Sequence, residues 1–104
     1  MSTYAISYFN EPHFDSPEAG KAYQSKWTAW ANNLGKALVT PAVPLAAPKV
    51  LTSGGVSDKA DRNRLTGYSI VEAGSLDAAV EMAKGCPHLE HGTLEVAEIL
   101  DMKM

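Results

Sequence analysis

The sequence predicts an α+β fold with the element order β-α-β-β-α-β. Three observations carry this reading. Alternating runs rich in Tyr, Ile and Val open the chain and recur in its second half. Two stretches with helical apolar spacing lie between such runs, each preceded by a serine able to cap it. Gly and Pro fall at the joints and not inside these segments, apart from one proline-spaced region.

Residues 3–9 form the first predicted strand. Tyr4, Ile6 and Tyr8 share one face; Ala5, Ser7 and Phe9 share the other; Asn10-Glu11-Pro12 ends it. A helix of about five turns follows, since Tyr23, Trp27, Trp30, Leu34 and Leu38 recur at three- and four-residue spacings. Asp15 or Ser16 caps it, Pro17 suits its first position, and Gly35 breaks it. Residues 40–48 space prolines at three and four, so they run extended and can be neither helix nor central strand. Their apolar content places them along the surface of the core. The second strand is expected at residues 49–53, ended by Gly54-Gly55, with residues 56–63 as a polar loop or hairpin tip.

The third strand is expected over residues 64–73. Tyr68, Ile70 and Glu72 share one face, and Ser69, Val71 and Ala73 the other. Gly67 offers no side chain there, which marks a close approach by another group. Ser75 caps a second helix whose inner stripe is Leu76, Ala79, Val80 and Ala83, with Gly85 as its C-cap. Pro87 cannot continue it. Residues 93–100 form the last strand, and 101–104 a polar tail. Right-handed crossovers in both halves then give a four-stranded antiparallel sheet with two helices on one face, the ferredoxin-like plait.

Composition sets the outer bounds. A chain of 104 residues is expected to form one domain over residues 1–104, burying roughly 65% of its unfolded surface. Nine basic against twelve acidic residues give a net charge of −3, and no basic run is present. Lys59, Arg62 and Arg64 are interleaved with Asp58 and Asp61, which reads as a solvated loop rather than a nucleic-acid site. One cysteine, Cys86, allows no internal disulfide and no multi-thiolate metal cage. The first residues lack a signal-peptide pattern and no apolar run spans a bilayer, so the expected location is cytoplasmic, with no membrane partner. Both sheet faces carry apolar groups, although two helices cover only one. That surplus predicts a homodimer packed sheet to sheet.

The string GYSIVEAGSLDAAVEMAKGCPHLEHGTLEVAEI resembles the C-terminal half of YCII-related (DGPF-type) proteins, especially those with a Gly-Tyr third strand and a Gly-Cys-Pro-His-Leu turn. Upstream, KWTAWANNLGKALVTPAVPL resembles the first helix and proline segment of the same subgroup. The resemblance covers nearly the whole chain and is weakest over residues 55–64. It implies a ferredoxin-like chain dimerised into an α+β barrel, with a cleft near the dimer interface. Two features depart from the family pattern. Some relatives carry a first-helix His within Arg-x-x-His-Leu, paired with an Asp as a dyad; here Lys26-Trp27 stands in that register, so the dyad is not carried over. The Asp-Gly-Pro-Phe string is absent as well.

His88 is the leading catalytic candidate, because imidazole suits proton transfer near neutral pH and Pro87 stiffens its turn. The competing reading is that His88 bonds a carbonyl and fixes the turn. Glu72 is the second candidate: buried with a partner it is a general base or ligand anchor, and otherwise it sits in water. Trp27 and Trp30 either pack the core or wall a pocket. Tyr68 is placed to orient a ligand, and Lys26 is either exposed or in contact with an anionic one. Cys86 lacks an obvious activating base. His13 and His91 read as surface residues, and three separated histidines without a spacing motif predict no metal site. No phosphate loop, dinucleotide fingerprint, nucleophile elbow or His-Glu-x-x-His is present, so no cofactor is expected. Three functions remain in competition: a small-molecule enzyme using His88 for proton transfer, a non-catalytic binding or accessory module, and a cofactor-independent monooxygenase or isomerase of a small aromatic compound.

Overall fold

The structure is a computed structural model and describes residues 1–58 and 64–100. The loop residues 59–63, including Lys59 and Arg62 of the basic cluster, and the tail 101–104 lie outside the described residues. Eight elements follow in order: β1 (Ser2–Phe9), α1 (Pro17–Leu34), β2 (Leu38–Pro44), β3 (Lys49–Thr52), β4 (Gly55–Asp58), β5 (Leu65–Ala73), α2 (Leu76–Lys84) and β6 (Thr93–Glu98). Short 3₁₀ turns lie at Gly35–Ala37 and Pro87–Glu90. The main sheet has the order β2-β5-β1-β6, with every neighbouring pair antiparallel. This is the plait expected from the sequence.

The caps explain where the helices begin. Ser16 Oγ accepts from the Ala19 N–H at 3.1 Å, with Pro17 in the first turn, and Ser75 Oγ accepts from Ala78 N–H at 3.1 Å. At the other end of α1, Gly35 adopts φ 54°, a region that disfavours a side chain.

The second sheet strand is not where the sequence placed it. Residues 49–53 do not join the main sheet; Lys49–Thr52 pairs only with Gly55–Asp58, as a separate two-stranded hairpin. The proline segment takes the sheet position instead, as β2, along the outer edge of β5. An edge strand leaves one side of its backbone unpaired, so Pro41 and Pro44 can lack N–H groups without breaking a ladder. Register shifts between Leu38 and Thr40 and between Thr40 and Val43 accommodate them.

The core lies on one face of this sheet. Tyr4, Ile6 and Tyr8 of β1 and Val71 and Ala73 of β5 pack against Trp30 of α1 and Ala79 and Ala83 of α2. The α2 stripe is rotated from the expected one: Leu76 is 48% exposed, while Ala78 and Met82 pack beside Ala79 and Ala83. Gly85 admits the Trp30 ring, since a Cβ there would lie 3.3 Å from Trp30 Cδ1. The opposite face carries no helix among the described residues. Its central row is Ile70, Ala5 and Ala97, directly paired across β5, β1 and β6.

Candidate functional site

Where β1 leaves the sheet, its last core residue, Tyr8, stands opposite Gly67 of β5. A Cβ on Gly67 would lie 2.7 Å from the Val43 carbonyl oxygen and 3.4 Å from the Tyr8 ring. The bare glycine therefore lets β2 and Tyr8 close in, as its position in the strand suggested. Between this point and α1 a cleft of about 490 Å³ opens, walled by Tyr8, Tyr23, Trp27, His88, the Val43–Pro44 end of β2 and Leu45 just beyond it. Its volume falls within the range of small-ligand sites, roughly 300–1,000 Å³.

Aromatic edges build the wall. Tyr8 meets Trp27 edge-on at 5.3 Å and 84°, and Trp27 meets Tyr23 at 6.1 Å and 78°. His88 tilts against Tyr8 at 5.4 Å. The Tyr8 hydroxyl shares a hydrogen bond with Ser69 Oγ in the core. Burial pushes this phenol well above its usual pKa, and the Ser69 bond only partly opposes the shift.

His88 is 2% exposed, and its Nε2 lies 2.7 Å from the carbonyl oxygen of Phe9. A carbonyl only accepts, so Nε2 carries the proton and donates it. With the proton on Nε2, the lone pair of a neutral ring would sit on Nδ1, which has no hydrogen-bond partner among the described residues. Gly92 makes the contact possible: a Cβ there would sit 2.0 Å from Phe9 O and 2.9 Å from His88 Nε2. The Gly92 N–H returns to the His88 carbonyl at 2.9 Å and closes the turn. The carbonyl-bonding role weighed for His88 is thus present, and the ring forms part of the cleft wall at the same time.

The other candidates do not converge on this cleft. Trp30 is 6% exposed, and its indole N–H donates to Met82 O at 2.9 Å, which makes it a core residue. Glu72 is exposed, and Tyr68 lies on the same face, both on the side of the sheet away from the helices. Lys26 pairs with Glu90 at 2.9 Å, joining α1 to the 3₁₀ turn that bears His88, and lines a separate groove beside Trp30. Cys86 is buried, and desolvation lifts its thiol to about 11, against which the His88 backbone N–H acts only weakly; at neutral pH it remains a thiol. His91 is half-buried between Phe14 and Tyr23, with ring centroids at 5.0 and 4.9 Å, and is not the surface residue expected. His13 is exposed.

Tyr8, Tyr23 and Gly67 belong to the cleft but were not among the sequence-derived site residues. Gly67 gave a signal as an unfilled strand position. Tyr8 and Tyr23 gave none, since both fit the apolar stripes of their elements.

The chain was compared with known proteins. No curated protein matches it significantly. Among solved structures it is similar to 5-chloro-2-hydroxyhydroquinone dehydrochlorinase from Burkholderia phenoliruptrix, in complex with 2,5-dihydroxybenzoquinone. That similarity has a TM-score of 0.56 at 15% identity and covers 91% of this chain and 90% of that one. At this identity the likeness is one of fold, and it agrees with the plait described above. The family model of the YCII-related domain matches residues 1–103, so the chain belongs to the YCII-related family.

Proposed function

We propose that the protein binds a small planar organic ligand in the cleft beneath Trp27, and that His88 moves a proton there without a cofactor. The observation that carries this reading is the state of His88. Its ring is fixed by the Phe9 carbonyl at 2.7 Å, it lines an aromatic cleft, and Nδ1 keeps a lone pair. An aromatic lining of Tyr8, Tyr23 and Trp27 suits a flat ring. The dehydrochlorinase with the similar fold was captured with 2,5-dihydroxybenzoquinone, a ligand of that shape, which supports the same class here. Glu72 and Tyr68, on the far face, have no part in this scheme, and Lys26 acts at most through its bridge to Glu90. Trp27 is retained as a wall; Trp30 supports it from the core, with ring centroids 5.4 Å apart.

A second copy packed on the Ile70–Ala5–Ala97 face is part of the proposal. It would leave the helix-side cleft of each chain on the outside of the paired sheets, and not near the dimer interface as the family resemblance implies.

The test separates catalysis from binding. 2,5-Dihydroxybenzoquinone carries ring hydrogens that exchange with deuterated water through proton transfer, and NMR follows that exchange. The native protein should bind the quinone and accelerate the exchange. In His88→Gln the side-chain amide replaces the Nε2 donor to Phe9, while the Nδ1 lone pair is lost. That variant should keep its melting temperature within a few degrees and lose the acceleration. Binding by the native protein without faster exchange would establish the non-catalytic module instead. No binding at all would remove the cleft proposal.

A further inference from the structure

Just past β1 stands the one non-glycine residue with positive φ among the described residues, Asn10 at 77°. Asparagine tolerates this left-handed region better than most side chains. The peptide unit before it, between Phe9 and Asn10, is held at both edges. Its carbonyl accepts from His88 Nε2 at 2.7 Å, and its N–H, on the opposite side, donates to Arg64 O at 3.0 Å. The β1–β5 register shifts here, from Tyr8↔Gly67 to Phe9↔Leu65, which leaves Thr66 as the extra residue of a bulge. Thr66 Oγ1 lies 3.2 Å from Tyr8 O and 3.4 Å from Asn10 O, so it reaches the peptides on either side. Asn10 Oδ1, by contrast, is buried without a hydrogen-bond partner among the described residues, so the amide oxygen holds nothing in place.

The direction of the held peptide and the φ of Asn10 are linked. Flipping a peptide plane by about 180° exchanges its C=O and N–H, and turns the φ of the next residue by the same amount. At Asn10 the flipped φ would be about −100°, a region open to every L-residue. The flipped unit would offer the Asn10 N–H to Nε2 in place of the Phe9 carbonyl. Nε2 would then have to accept, and the ring proton would move to Nδ1. We propose that Asn10 is the positioning residue for His88: its left-handed backbone keeps the Phe9 carbonyl toward the ring and so selects the Nε2–H tautomer. The catalytic consequence rests on the proton-transfer reading above, since only this tautomer leaves Nδ1 able to take a proton.

Nitrogen-15 NMR of histidine-labelled protein, at a pH where the ring is neutral, reads the tautomer directly, and His88→Gln identifies the His88 signals. The same variants are assayed for deuterium exchange of 2,5-dihydroxybenzoquinone, with a thermal melt to check each fold. The native protein should show Nε2 protonated and Nδ1 bare. Asn10→Gly, which accepts either sign of φ, should keep that pattern and exchange within about twofold of native. Asn10→Ala should mix the tautomers and slow the exchange at least about fivefold, and Asn10→Val more strongly. Bulk alone would give a different order, because Asn is larger than Ala. An Asn10→Ala variant with the native pattern overturns the positioning, as does an Asn10→Gly variant that loses the pattern equally. Those two variants decide it should Asn10→Val not fold. A native ring protonated at Nδ1 overturns the positioning and the proton-transfer reading together. Tautomers that follow the series, with no accelerated exchange in the native protein, uphold the positioning and remove only the catalytic reading.

Discussion

At the scale of single residues, the decisive positions are two glycines and a histidine. Gly92 has no side chain because the Phe9 carbonyl occupies the space where one would go. The clash at 2.0 Å is with backbone, so no rotamer change relieves it. Gly92→Ala should therefore separate β6 from the end of β1 and release the His88 ring. The expected cost is roughly 2–3 kcal/mol, a fall in melting temperature of roughly 8–24 °C. A melt within about 2 °C of the native protein would show that the turn relaxes freely. Gly67 does the equivalent at the other side of the cleft, against the Val43 carbonyl. Of the two glycines only Gly67 was legible beforehand, because an empty place in an alternating strand is a local signal. Gly92 sits in a turn where glycine is ordinary, and its neighbour Phe9 is more than eighty positions away.

At the scale of elements, the contrast is between the edge strand and the hairpin. β2 contains two prolines and belongs to the main sheet; β3 has no proline and does not. Pattern alone favours the reverse, since Lys49–Thr52 has the better strand composition. The outcome follows from which backbone finds a partner. β2 needs to satisfy only its β5 side, and its Val43–Pro44 end, with Leu45 just beyond it, forms a cleft wall. The β3–β4 hairpin has only its own two strands, and its paired Leu51 and Val56 are 72% and 66% exposed. Isolated hairpins of this size are marginal in water. Amide hydrogen exchange should show it opening independently, with rates at least about 100-fold faster than in β1 and β5, which are paired on both sides. Equal protection in all four strands would mean that the hairpin is held by something beyond its own ladder.

At the scale of the whole molecule, the helices cover one sheet face, and no helix covers the other among the described residues. The helix side buries Ile6 and Val71 completely, each at 0% exposure. The bare side keeps Ile70, Ala5 and Ala97 in one row, with Phe9 nearby and Ile99 at 41% exposure. Such a row in contact with water favours self-association. Sedimentation equilibrium at micromolar concentration should give twice the chain mass of 11.1 kDa. Ile70→Arg, which puts a charge in the centre of the row, should give a monomer with its helix-side core intact. A native protein that sediments as a monomer would rule out the proposed pairing.

By itself the sequence determined the β-α-β-β-α-β order of the plait, the Ser75 cap, the alternating faces of the first and third predicted strands and the presence of a constrained turn at His88. Each of these is a property of contiguous residues, set by side-chain periodicity and backbone chemistry. The tertiary structure alone decided that a proline strand takes the sheet edge, that Glu72 and Tyr68 face away from the cleft, and that Trp30 is core while Trp27 is wall. It also decided that His88 is anchored through Nε2 to the Phe9 carbonyl. Those outcomes depend on groups far apart in the chain meeting in space. Hydrogen-bond partners and a cleft's inward side exist only once the sheet and helices are packed.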